Sequence, residues 1–215
     1  MFVEKHMSSP VVTVPPDLPF QDALKLMQER KFRRLPVVNK QGKLVGIISE
    51  RDLLYASPSP ATTLSVWEMN YLLSKIDVQS IMTKKVITIT PGTTVEDAAS
   101  IMIDKKIGGL PVLDGNTVAG IITETDIFRI LVGVIGGGQP GLRLSLEVPR
   151  KRGVLADLSK AIFDQGGFIV SVGSFPIEEK PEEDGLVIKV RDVSKGQLVD
   201  TLEKLGDRVT DAREV

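Results

Sequence analysis

The chain has 215 residues, 42% hydrophobic and 26% charged, which is the balance of a globular protein with one large or two small domains and argues against extended disorder. Its 27 basic and 28 acidic residues leave a net charge of −1, so overall charge gives no attraction for nucleic acid. No cysteine is present and His6 is the single histidine, which excludes disulfides, thiolate catalysis, cysteine-ligated zinc and thiolate-held iron–sulfur clusters, and gives no basis for a histidine metal cage.

The opening residues, Met1 to His6, lack the apolar run of a signal peptide, and no apolar stretch reaches ~18 residues. The expectation is a cytoplasmic protein without a membrane span. Residues 11–14 read as a short β-branched strand. Residues 20–31 read as a helix, with Phe20, Ala23, Leu24 and Met27 on one side. Pro36-Val37-Val38, a Gly42-containing turn and residues 44–48 read as a hairpin, and a short helix follows at Asp52. Ser57-Pro58-Ser59-Pro60 is a loop signal, and residues 64–76 look helical, with Trp67 and Tyr71 four apart. That aromatic pair is expected to pack on the rest of the chain or on a second copy.

The pattern then starts again. From Met7 to Asn39, residues 75 further on repeat the sequence with 11 identities in 33 positions, including Leu35-Pro36-Val37 and Leu110-Pro111-Val112. After a one-residue gap, Gly46-Ile47-Ile48-Ser49-Glu50-Arg51-Asp52 matches Gly120-Ile121-Ile122-Thr123-Glu124-Thr125-Asp126. Each copy reads β-α-β-β-α. Neither is large enough to bury much core alone, so the two should pack together.

Gly136-Gly137-Gly138-Gln139-Pro140-Gly141 breaks the pattern. No Gly-Lys-Ser/Thr opening a helix follows, so this reads as a flexible linker rather than a phosphate loop. The remainder reads β-α-β-β-α-β: strand 142–148, helix 154–163 stopped by Gly166-Gly167, strands 168–175 and 186–190, helix 194–205 and strand 208–214. That order is ferredoxin-like. The acidic run 178–184 is a solvated hairpin. The fold class expected is α+β. The expected domains are residues 1–62 and 77–135 for the two copies, 63–76 for an inter-repeat helix, 136–141 for the linker and 142–215 for the last domain.

Candidate chemistry lies in the repeats. Ser49 with Asp52, and Thr123 with Asp126, place a hydroxyl and a carboxylate at a strand-to-helix junction. The pattern is that of a helix capping box. It also suits an anion at the helix start and a carboxylate that accepts two hydrogen bonds from a ribose diol. The readings can coexist. Arg33-Arg34, just before the Leu35-Pro36-Val37 strand, suit phosphate oxygens; the second copy has Gly108-Gly109 there. Lys84 and Lys85 can add charge at the entry to the second copy.

Met-x-x-x-Val-x-Thr-Val/Ile, Arg-Leu-Pro-Val-Val and Gly-Ile-Ile-Ser/Thr-Glu-x-Asp, repeated in order over residues 3–131, resemble the cystathionine-β-synthase (CBS) domain. The resemblance implies a tandem pair with two clefts about a pseudo-twofold axis, binding AMP, ADP, ATP or S-adenosylmethionine. The family's ribose-contacting Asp falls on Asp52 and Asp126, its hydroxyl on Ser49 and Thr123, and its phosphate contacts on Arg33 and Arg34. The adenine contacts fall on Met82, Val86 and Ile87 for one cleft, and on Met7, Val11 and Val12 for the other. Leu144 to Pro149, Gly153 to Leu158 and Gly166-Gly167 resemble the ACT domain, a small-molecule regulatory module. Its effector site would fall on Arg150, Gly153, Val154 and Leu155. Arg150 and Arg152 stand where that family has an acidic residue and a proline, which argues against amino-acid binding. The whole order resembles the acetoin-utilisation B family.

The expectation is a non-enzymatic sensor of an adenine nucleotide, with no required cofactor and no metal. Both resemblances imply a homodimer, and the output must fall on a further protein or on the oligomer itself. An enzyme lacks a recognisable nucleophile–base pair. An oligomerising scaffold with empty clefts, or an ACT-domain small-molecule sensor, are the alternatives. No recognition helix with a basic face is present, so nucleic acid is not an expected partner.

Overall fold

Helix α1 (Phe20–Arg30) buries Phe20, Ala23 and Met27, residues three and four apart that share one side of a helix. It ends where Lys31 turns to a left-handed φ of 56° and its N–H bonds back to the last turn. Strands β1 (Arg34–Val38) and β2 (Leu44–Ser49) then form an antiparallel hairpin that runs into α2 (Glu50–Ala56). These coordinates are a computed structural model that describes residues 1–57, 63 and 65–215, apart from the side chains of residues 66 and 70. The proline-rich loop signal after Ser57 and the expected helix start at residue 64 lie outside the described residues. Helices α3 (Val66–Leu73) and α4 (Val78–Ile81) lead to the second copy: α5 (Val95–Lys105), β3 (Gly109–Asp114), β4 (Thr117–Thr123) and α6 (Glu124–Val134).

The expected first strands, 11–14 and 86–89, are not regular strands. Each makes a single parallel bridge to its own hairpin, Val14 to Val37 and Ile89 to Val112. The physical reason is local: Pro15 and Pro16 follow Val14, and Pro91 follows Ile89 closely, so donors for further pairing are missing. The same extended segments carry antiparallel bridges to the opposite copy, Ser8 to Ile121 and Thr83 to Ile47.

The two copies exchange their leading segments. Val3, fully buried, belongs to the core made by Ala98, Met102, Leu110, Val112 and Ile122 of the second copy. In the same way Val78, with Ile76 and Ile81 beside it, completes the first copy's core around Phe20, Leu35, Val37, Ile48 and Leu53. The main chain follows suit: Val95 N–H donates to Met1 O, and Val78 N–H donates to Leu18 O. Each fully buried aliphatic side chain contributes about 1.5–3 kcal/mol, so each core depends on residues from both copies.

The contacts of the chain divide it into two units, Met1–Ile127 and Phe128–Val215, with the division inside α6. The second unit has β5 (Leu142–Pro149), α7 (Val154–Asp164), β6 (Phe168–Pro176), β7 (Glu183–Arg191), α8 (Lys195–Lys204) and β8 (Arg208–Glu214). Its sheet is antiparallel in the order β6-β7-β5-β8. Alternate residues of β5, from Leu142 to Val148, are buried against Leu158, Ile162, Leu198 and Leu202 of the two helices. The acidic run is shorter as a hairpin than its charge suggested, because Glu183 and Asp184 already pair with Pro149 and Val148 in β7. The glycine-rich segment is anchored rather than loose. Lys189, 5% exposed, donates from Nζ to Gly136 O and Gln139 O at 2.8 Å each.

Candidate ligand-binding clefts

At the end of β2 the chain turns into α2 through a complete capping box. Asp52 N–H donates to Ser49 Oγ at 3.3 Å, and Asp52 Oδ2 accepts from Ser49 N–H at 2.8 Å and from Ser49 Oγ at 2.7 Å. Oδ1 of Asp52 accepts no hydrogen bond among the described residues. The second copy repeats the design: Asp126 Oδ2 accepts from Thr123 N–H at 2.9 Å and from Thr123 Oγ1 at 2.7 Å. Asp126 is 7% exposed, whereas Asp52 is half-buried at a cavity wall. The cap therefore uses Oδ2 of Asp52 and leaves Oδ1 open.

A cavity of about 630 Å³ opens beside Asp52, inside the range of small-molecule sites. Arg33, Arg34, Ser49, Asp52, Val86 and Ile87 all line it, so most of the expected constellation converges. Val86 and Ile87 come from the second copy and supply an apolar wall. Met82 and Lys84 do not line it. Met82 turns under the hairpin, where a methyl group added to Gly46 would overlap its sulfur, and packs on the first copy's core. Lys84 faces a separate hollow of about 210 Å³ with Lys43 and Asn116. Lys85 takes its place on the wall, along with Thr83 and Ile87. Thr83, Lys85 and Ile87 alternate as in an extended segment, with Val86 at the edge of the same wall, and that alternation separates Lys85 from Lys84.

Sequence reasoning also missed Arg51 and Lys106, which bring the lining to five basic side chains against three acidic ones. Arg34 sits 4.0 Å from Glu124 with Nη2 toward Oε2. Burial pushes the Arg34 guanidinium below its ordinary value, Glu124 pulls the other way, and Arg33 and Arg51 add to the lowering. Crowded, partly dehydrated positive charge of this kind is what a bound anion relieves.

A second cavity of about 250 Å³ lies beside Asp126. Thr123, Val11 and Val12 line it as expected, while Met7 turns toward Gly120 as Met82 does toward Gly46. Arg33 and Arg34 line this cavity too, together with Lys31. Arg33 Nη2 donates to Thr125 Oγ1 at 2.7 Å on that side. The arginine pair thus belongs to both clefts, although the sequence placed it in one.

Of the residues expected for an effector site in the C-terminal unit, Arg150 is ion-paired to Asp184. Arg150 donates from Nε at 3.0 Å and from Nη2 at 2.6 Å to Asp184 Oδ1. Gly153, at φ 93°, opens α7; Val154 packs in the core, and Leu155 is exposed. Among the described residues there is no cluster of three or more His, Cys, Asp or Glu side chains suited to a metal, and no helix long and apolar enough to cross a membrane.

A family model described as CBS domain matches residues 3–59 and 78–133, together more than half of the chain. Among solved structures, the CBS domain pair of protein MJ0100, in complex with methylthioadenosine and S-adenosyl-L-methionine, is 31% identical with a TM-score of 0.52; the alignment covers 62% of this chain and 97% of that one. A candidate acetoin utilization protein (AcuB) from Vibrio cholerae is 30% identical with a TM-score of 0.52, covering 61% of this chain and 90% of that one. CBSX2 in complex with AMP is 30% identical with a TM-score of 0.51, covering 61% and 96%.

Proposed function

Because the chain belongs to the CBS domain family, we propose that it is a non-enzymatic regulatory module that senses an adenosine-containing ligand in the cleft beside Asp52. The observation that carries this reading is the convergence in one cavity of three kinds of group: the open Oδ1 of Asp52, the Arg33 and Arg34 guanidiniums, and the Val86–Ile87 wall. Asp52 accepts the ribose diol, the guanidiniums take phosphate, and the aliphatic wall covers the adenine. AMP, ADP, ATP and S-adenosylmethionine share this chemistry. The solved relatives with AMP, or with methylthioadenosine and S-adenosyl-L-methionine, support it. Calorimetric titration of the full chain with each ligand, and of Asp52→Ala, tests it: binding that survives unchanged in Asp52→Ala removes the ribose assignment.

The proposal extends to the rest of the chain. The β-α-β-β-α-β order and the sheet order β6-β7-β5-β8 support a ferredoxin-like, ACT-type module after the glycine segment. We assign its residues as 142–215, with 136–141 as the connection and 1–62, 63–76 and 77–135 as before. A ligand that binds two arrangements of the repeat pair unequally shifts their populations. Helix α6 carries Asp126 in its first turn and continues toward the segment that Lys189 holds, which gives the shift a route to the sheet. Exposed Leu54, Tyr55, Trp67 (86% exposed) and Tyr71 support a homodimer. The Vibrio cholerae relative supports a role in acetoin metabolism, acting on a separate regulated protein. The Ser49–Asp52 capping box, complete without any ligand, favours as a second reading an oligomerising scaffold with unused clefts.

A further inference from the structure

The two clefts draw on one set of charges. Arg33 and Arg34 line both cavities, and the positions that match them in the second copy are Gly108 and Gly109. Around the larger cavity, Arg51, Lys85 and Lys106 remain when the pair is set aside; around the smaller one only Lys31 remains. Thr125 stands in the smaller cavity where the matching residue of the first copy is Arg51. The pair is also divided in its resting contacts, with Arg33 bonded to Thr125 on one side and Arg34 directed at Glu124 on the other.

We propose that the shared Arg33–Arg34 pair couples the clefts negatively: phosphate on a ligand beside Asp52 weakens a phosphate-bearing ligand beside Asp126, while an uncharged nucleoside there is unaffected. The inference rests on the reading of the clefts as adenosine sites. A guanidinium that turns to make paired bonds to one phosphate commits two of its five N–H donors and its best-aligned edge there, and offers a second phosphate on its opposite side only a poorer contact. Two phosphates brought to one pair of cations also repel each other across a partly dehydrated space. The larger cavity, with three further cations, fills first and draws the pair. The smaller cavity then offers Lys31, the carboxylate of Asp126 and the Val11–Val12 wall, a set suited to a neutral nucleoside.

The test is calorimetric titration of the full chain with AMP and, separately, with adenosine, in the parent, in Asp52→Ala and in Arg33→Ala. Asp52→Asn replaces Asp52→Ala if loss of the cap unfolds the chain. The expected result is that AMP binds the Asp126 cleft at least tenfold more tightly in the Asp52 variant than as the second equivalent in the parent. A tenfold change corresponds to about 1.4 kcal/mol. Adenosine is expected to bind that cleft equally in both. In Arg33→Ala, AMP at the second cleft is expected to fall to the affinity of adenosine. Two AMP equivalents in the parent with no weakening of the second overturn the proposal. So does AMP that still binds the second cleft of Arg33→Ala more tightly than adenosine does, or an Asp52 variant that takes neither ligand. A parent that binds neither AMP nor adenosine overturns the function proposed above, and this inference with it.

Discussion

The Arg34 guanidinium occupies the space beside Gly108 where a side chain would stand: a methyl group on Gly108 would overlap Arg34 Nη2 and lie 2.5 Å from Glu124 Oε2. The glycine pair of the second copy is therefore the complement of the arginine pair of the first. Where Gly108 meets Arg34 there is room for one set of long side chains. The atoms in the way are the ends of flexible side chains, so Gly108→Ala is expected to leave the fold within about 1 kcal/mol of the parent. It should displace Arg34 and weaken AMP several-fold with adenosine unchanged. Paired titrations with AMP and adenosine check this.

Ser49→Ala separates capping from ligand binding. It removes the acceptor for Asp52 N–H and one donor to Asp52 Oδ2, while Oδ1 and the carboxylate charge stay. Loss of an N-cap costs about 1 kcal/mol. The midpoint of thermal unfolding should drop accordingly, and AMP affinity should change less than threefold.

The exchange of leading segments predicts a remote effect. Val3 lies in the second copy's core, so Val3→Ala should cost about 1–3 kcal/mol. Amide hydrogen exchange should speed up first around residues 98–122 of the second copy, not at residues 20–53 that adjoin the mutation in sequence.

Lys189→Met removes both bonds to the glycine segment and leaves the carbonyls of Gly136 and Gln139 without that donor. Hydrogen bonds from a charged group are worth about 1.5–3 kcal/mol each, and the buried methylene stem is largely kept. Limited proteolysis should cut between residues 136 and 141 faster in this variant, with the sheet itself still folded.

Asp207 gives a pH dependence of defined sign. Burial raises its carboxyl above the ordinary value, Lys151 opposes this and Asp157 adds to it. An acid whose folded pKa is raised stabilises the fold below its unfolded pKa, and that contribution is lost as pH rises through the folded pKa. Asp207→Asn carries no charge at any pH. The midpoint of Asp207→Asn minus that of the parent should therefore grow between pH 4 and pH 7, as followed by thermal unfolding.

The repeat, the hairpins and the capping boxes were legible because each has a local cause: matched residues at a fixed offset, alternation around a turn, and a hydroxyl three residues before a carboxylate. The second unit's elements followed from periodicity in the same way. What was not legible depended on the other copy. Met82 reads as a cleft residue until Gly46 is seen to make room for it. Lys85 rather than Lys84 lines the cavity beside Asp52 because the segment bridges to Ile47 across the pair. Val3 precedes the repeated segment that begins at Met7, yet it belongs to the second copy's core. The double role of Arg33 and Arg34 depends on two cavities meeting at one loop, which spacing along the chain does not encode.

The most direct measurement is thermal unfolding of the parent and of Asp52→Ala and Arg34→Ala with AMP, ADP, ATP, S-adenosylmethionine and adenosine at millimolar concentration. A ligand at 100 times its dissociation constant stabilises by about 2.7 kcal/mol, or roughly 5–10 °C for a chain of this size. The account predicts a shift of that order with at least one phosphate-bearing ligand, reduced in Asp52→Ala and, for the phosphate-bearing ligands, in Arg34→Ala. No shift with any of the five, or an undiminished shift in Asp52→Ala, would contradict it.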